Sequence, residues 1–300
     1  MTRPKPIDWL VLAALVVTWG SAFAALKIAV AHIPPFWNTA LRLWIAVATL
    51  GLVLAVQRQG LPGWRDPAWR FYAFNGLVGM AVPFALFALA AERLPSAINA
   101  ICNGASPIFT ALLAHAFVSG ERLTARKAGG VGLGFVGLLV LVGPRLTGGL
   151  SLEALAVIGA LAGAALYAVS NVVTKRAPPV PSSVGALMMC AWGAVFATAA
   201  AVFTGPFPAW PPMSAVLAVT AQGVFPTALA TIGYVYLIQR RGPLFLSMAI
   251  YMAPLWATVV GVLFLAERLN WTAFAALALI LGGVALATLE PRRAGAPAAT

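Results

Sequence analysis

Charge is scarce in this 300-residue chain: Asp, Glu, Lys and Arg make up 9% of it, whereas 62% is hydrophobic and the mean hydropathy is +0.94. Water-soluble domains carry roughly 25% charged residues, so a chain this apolar is expected to be dissolved in lipid. It has seven acidic residues, two histidines and two cysteines. Cys102 and Cys190 both sit in apolar runs, which excludes a disulfide scaffold or a zinc site and reads them as small hydrophobic residues. Basic runs longer than a pair are missing as well, so the formal net charge of +12 does not describe a nucleic-acid surface. A membrane protein carries such an excess because Lys and Arg collect in its cytoplasmic loops. Nothing in the chain implies a cofactor.

Long apolar runs are abundant. A membrane-spanning helix needs about 20 mostly apolar residues in a row, and ten segments qualify: 8–31, 36–56, 71–91, 96–118, 127–143, 151–173, 183–203, 213–238, 243–265 and 271–289. The breaks between them, such as "HIPP", "RQGLPGWRD" and "TGPFPAWPP", are too short for a soluble domain. The first segment superficially resembles a secretory signal ending at Ala22-Phe23-Ala24, but its hydrophobicity runs on to Ala31, so it is expected to be retained. Of the 19 Lys and Arg residues, Arg93, Arg145 and Arg268 fall on one side, Lys27 and Arg42 lie within segments, and the other fourteen fall on the opposite side. The basic side is the inner one, which predicts an all-α membrane protein with both termini cytoplasmic.

Ten helices divide into five and five, and an odd number per half inserts the halves in opposite orientation. Several echoes support this inverted repeat. Trp19 and Lys27 recur as Tyr167 and Lys175, 148 residues later. Asn99, Asn103, Ser106 and Thr110 line one face of the fourth helix, and Ser247, Tyr251 and Thr258 the same face of the ninth. Pro107 and Pro254 are each followed by Glu-Arg-Leu, at Glu121 and Glu267. The expected units are residues 1–146 and 147–300.

"TWGSAF" at Thr18–Phe23, "ALRLWIA" around Arg42, "ASPIFTALLAHAFVSGERL" and "APLWATVVGVLFLAERL" resemble the EamA-type branch of the drug/metabolite transporter superfamily over nearly the whole chain. The resemblance implies ten helices, an inverted five-helix repeat and export of small metabolites, often amino acids, across a plasma membrane of bacterial type.

Polar side chains within lipid are costly and usually face a cavity or a helix partner. The stripe Asn99, Asn103, Ser106, Thr110 is the candidate wall of a substrate path, with Ser247 and Tyr251 its counterpart. Trp19, Phe23, Phe84, Tyr167 and Tyr234 add aromatic surface suited to an apolar or aromatic solute. Pro83, Pro107, Pro226 and Pro254 lie inside segments, as hinges or as static bends. Arg42 and Lys27 are the embedded cations. Each could attract a carboxylate, pair with Glu92 or Glu153 as a gate or tie, or snorkel to the interface. All seven acids sit at or beyond segment ends, and His115 reads as interfacial. Facilitated or exchange transport is therefore favoured over proton antiport.

Gly132 to Gly137 matches G-x-G-x-x-G but lies inside an apolar segment, without the strand–turn–helix setting of a dinucleotide site. Gly130 and Gly134, with Gly282-Gly283, read instead as close-packing faces that join the halves or support a homodimer. The site types fit an amino-acid exporter, aromatic or bulky apolar solutes favoured, in a monomer or homodimer that handles a small molecule and no nucleic acid. An exporter of other amphiphilic metabolites or drugs, with or without proton coupling, is the alternative. An embedded enzyme lacks clustered His, Cys and acid, and a channel lacks rings of charge.

Overall fold

The computed structural model describes residues 4–117, 124–146, 151–174, 176–207, 209–241 and 243–288, and of Arg145, Leu146, Val235, Ile238, Gln239, Pro243, Leu244, Ser247 and Thr288 the backbone alone. Every regular element among them is helical. In chain order they are α1 (Pro6–Val30), α2 (Pro35–Gln57), α3 (Ala68–Arg93), α4 (Ser96–Phe117), α5 (Ala125–Leu146), α6 (Leu152–Thr174), α7 (Ser182–Thr204), α8 (213–241), α9 (Pro243–Phe264) and α10 (Trp271–Thr288). Eight are long and apolar enough to cross a membrane, and shorter apolar stretches occupy Met248–Phe264 and Trp271–Ala287. Helices suit lipid because each backbone donor finds its acceptor within the segment.

Proline marks where they start. α1, α2 and α9 have it within the first turn, and α4, α7 and α8 follow Pro95, Pro181 and Pro212 directly. A first-turn N–H has no intrahelical partner, so proline loses nothing there, and its fixed φ suits the helix. Internal prolines behave unequally. Pro83 directly follows a π turn at Leu77–Ala81, and Pro226 lies in a second at Gly223–Leu229. Pro107 follows an interruption of α4 at Gly104-Ala105. Pro254 lies inside α9, which is continuous across it.

The helix contacts repeat when each helix is exchanged for the one five places on. α1 packs on α9 as α6 packs on α4, and α3 packs on α6 as α8 packs on α1. α2 with α7, and α5 with α10, pair across the halves. Gly76 of α3 lies so close to α7 that an added Cβ would stand 2.6 Å from the Met189 carbonyl oxygen. Gly223 of α8 does the same to α2, where the nearest backbone oxygen is that of Arg42, at 2.8 Å. Both pairs are related by a shift of 147 residues.

α5 and α10 form the most extensive pair. A Cβ on Gly283 would meet the Gly130 carbonyl oxygen at 2.5 Å and the Gly134 nitrogen at 2.6 Å. The glycine faces expected to pack the halves together do so.

Candidate functional site

α1, α2, α3, α6 and α8 bring side chains to one place. Arg42, about 10 Å along α2 from Pro35, lays its guanidinium on Phe84 of α3, 3.8 Å from the ring centroid. Its Nε donates to Thr227 Oγ1 of α8 at 2.9 Å. The Thr227 hydroxyl donates a hydrogen bond to the Gln222 carbonyl, five residues back across the π turn, at 2.7 Å. The turn that contains Pro226 therefore both closes on α2, through Gly223, and offers Thr227 to Arg42.

Beside this cation the aromatic rings form a chain. Tyr167 of α6 lies 6.2 Å from Phe84, edge to face, and 5.6 Å from Phe87; Phe87 in turn meets Phe23 of α1 edge to face at 5.8 Å. Such offset and edge contacts are the favoured aromatic geometries. Arg42 is incompletely buried, and no ion pair joins it to Glu92 or Glu153, which are both exposed. That expected pairing is corrected. The guanidinium is served by a ring face and a hydroxyl.

Lys27 also pairs with neither acid. Its ammonium donates to the carbonyls of Ala91 (2.6 Å) and Leu94 (3.0 Å), at the C-terminal end of α3. Asn99 is fully buried; its amide nitrogen donates to the Phe87 carbonyl at 2.8 Å and ties α4 to α3, while its side-chain oxygen is without a hydrogen bond among the described residues. Asn103, Ser106 and Thr110 are half-buried. Thr110 donates to the Ser106 carbonyl, and Asn171 of α6 reaches Thr110 at 3.5 Å. Trp19 and Tyr234 face each other at 6.4 Å as a separate pair. Tyr251, like Phe23 and Tyr167, packs against the core cluster that contains Phe87, and its hydroxyl donates to the Val284 carbonyl of α10 at 3.4 Å. The Ser247 side chain, and Lys175 and Glu121 altogether, lie outside the described residues.

Three groups escaped the sequence reading. Thr227 looks like any membrane threonine until the π turn directs it. Asp8 stands in the first turn of α1, where it reads as a segment end, yet it is fully buried. It accepts from Arg241 at the end of α8 (Nε to Oδ2, 2.6 Å), from Tyr236 (3.2 Å) and from the Lys5 backbone (2.7 Å). Arg240 adds an ion pair at 3.4 Å. Glu267, beyond α9, accepts from the backbone N–H groups of Ser96 (2.5 Å) and Ala97 (3.1 Å). Among the described residues no three His, Cys, Asp or Glu side chains are placed to hold a metal ion.

Comparison with known proteins follows the same division into halves. Residues 7–143 and 154–289 each match the family model of the EamA-like transporter family. The uncharacterized inner membrane transporter YedA of Escherichia coli K12 is 29% identical over 280 residues, covering 93% of this chain and 89% of the relative. The aromatic amino acid exporter YddG of Ancylobacter novellus is 32% identical over 272 residues, covering 87% and 90%. A solved crystal structure aligns with 97% of this chain and 100% of its own, with a TM-score of 0.69 and 26% identity.

Proposed function

We propose a substrate path from one premise: this chain belongs to the EamA-like transporter family, and is thus a multi-pass inner membrane transporter of small molecules. Its solute is an amino acid, aromatic or bulky apolar kinds preferred, exported by alternating access through a path between the halves. The observation that carries this reading is Arg42, a cation within the membrane that rests on Phe84 and Thr227 with no carboxylate partner among the described residues. The terminal guanidinium nitrogens receive the solute carboxylate, for which the planar fork is suited. The ring chain Phe84, Tyr167, Phe87, Phe23 packs against the apolar side chain. Asn103, Ser106 and Thr110 offer acceptors for an amine further along α4. The aromatic preference gains support from the relative named an aromatic amino acid exporter.

In this reading ten helices cross the membrane as two inverted five-helix units that meet near residues 146 and 147, with both termini in the cytoplasm. The Asp8–Arg241 cluster then closes the inner end and the Lys27 contacts the outer end. Glu92 and Glu153, both exposed, take no part in gating, whereas the breaks beside Pro83, Pro107 and Pro226 supply the bends. Pro254 shapes packing instead: Gly104 lies against its ring.

Equilibrium binding to purified protein tests the carboxylate assignment. Labelled phenylalanine is expected to bind wild type and to be displaced by unlabelled phenylalanine but not by phenethylamine, which lacks the carboxylate. Arg42→Gln should remove that discrimination. Equal displacement by both compounds in wild type would refute the role given to Arg42.

A further inference from the structure

We propose that Glu267 is a releasable latch: a carboxylate of the second half that holds the N-terminus of a hinged half-helix of the first. The half-helix is Ser96–Asn103, the first part of α4. Its N-cap residue is Pro95, which has no side-chain acceptor, so the first N–H groups would be orphaned at a segment end facing lipid or protein. Glu267 supplies what is missing, one oxygen to Ser96 N and the other to Ala97 N. A negative charge also suits the positive end of the helix dipole.

Three observations separate this contact from an ordinary cap. First, it is reached through strain. Ala266 has φ of 52°, in the left-handed region that a Cβ disfavours, and this turn brings Glu267 onto the α4 N-terminus. The turn is the C-terminal cap of α9: the Leu265 and Glu267 N–H groups both donate to the Gly261 carbonyl, which fixes where Glu267 sits. Second, the same corner is also gripped by Lys27 of α1, which takes carbonyls at the end of α3. An anion on one helix start and a cation on the preceding helix end hold the Leu94-Pro95 corner by ionic hydrogen bonds, which re-form without repacking a core. Third, the held piece has a hinge. α4 is interrupted at Gly104-Ala105 and resumes at Ser106 with Pro107.

Movement of this piece reaches the candidate site. Asn99, in its middle, holds the Phe87 carbonyl, and the Phe87 ring stands between Phe23 and Tyr167. Opening the latch therefore pulls on the aromatic chain. What the latch releases rests on the alternating-access reading; that it opens does not.

The test uses two native thiols and no solute. Cys102 is fully buried on the half-helix, and Cys190 is equally buried on α7, in a different core cluster. In full-length protein in liposomes, the alkylation rate of each by N-ethylmaleimide is followed by mass spectrometry. Glu267→Gln keeps the size but loses the charge and one acceptor. It should speed Cys102 alkylation roughly tenfold, the factor expected for a lost hydrogen bond to a charged group, and leave Cys190 unchanged. Ala266→Gly, which relieves the strained φ while keeping the carboxylate, should slow Cys102. An unchanged Cys102 rate in both variants, or a rise shared equally by Cys190, would overturn the latch. A failure of amino acids to bind would overturn the exporter reading and leave this result standing.

Discussion

Arg42 is held on two sides, by the face of Phe84 and by the Thr227 hydroxyl, and the direction of its remaining donors follows from that grip. Thr227→Val keeps the shape but strands Nε, so the guanidinium is free to turn. The apparent KM for carboxylate solutes should rise roughly tenfold with a smaller change in kcat, and Thr227→Ser should restore it; a uniform loss of protein in both variants would mark Thr227 as structural only. The depth of Arg42 is legible in the sequence, because an arginine in an apolar run is conspicuous. Its partner is not, since Thr227 lies 185 residues away and polarity alone does not say which helix is the neighbour. Asp8 shows the same limit. Near the start of an apolar run it passes for a surface residue, and only the arrival of Arg241 reveals a buried pair. Asp8→Asn leaves Arg241 short of its counter-charge, and should lower the melting temperature in detergent while Glu92→Gln, an exposed substitution, does not.

At the scale of helices, interruptions and close approaches divide the work. The π turns in α3 and α8 each widen the helix, and at the start of each stands a glycine set against the backbone of a helix from the other half: Gly76 just before the first turn, Gly223 as the first residue of the second. α5 and α10 have no such break in the described residues and meet along Gly130, Gly134 and Gly283. Gly283→Leu forces a branched side chain onto the Gly130 carbonyl and should cost about 2 kcal/mol or more, read as a lower melting temperature; Gly132→Leu, with open space around its Cβ position, is the control. An unchanged melting temperature for Gly283→Leu would contradict the packing. Helix positions were legible to within a few residues because lipid fixes the length of an apolar run. The difference between Pro226 and Pro254 was not: both lie mid-segment, and whether a proline opens a π turn or is absorbed depends on the helix against which it packs.

For the whole molecule, the two halves repeat their contacts but not their chemistry. At the shift of 147 that relates Gly76 to Gly223, the residue answering Arg42 is Met189. The fold thus presents two equivalent places and a cation at only one, which suits a single charged site in a pseudo-symmetric frame. The duplication was legible from recurring prolines, polar faces and Glu-Arg-Leu, and both halves match the EamA-like family. Contacts that cross between the halves, Glu267 on α4 and Asp8 on Arg241, were not, because a repeat shows which residues are equivalent and not which ones touch. The account stands or falls on carriage of a carboxylate-bearing amino acid. Purified protein in liposomes loaded with unlabelled phenylalanine, without a proton gradient, is given labelled phenylalanine outside. The account predicts saturable counterflow that empty liposomes lack and that Arg42→Gln loses; no uptake by folded wild-type protein, or undiminished uptake by Arg42→Gln, would contradict it.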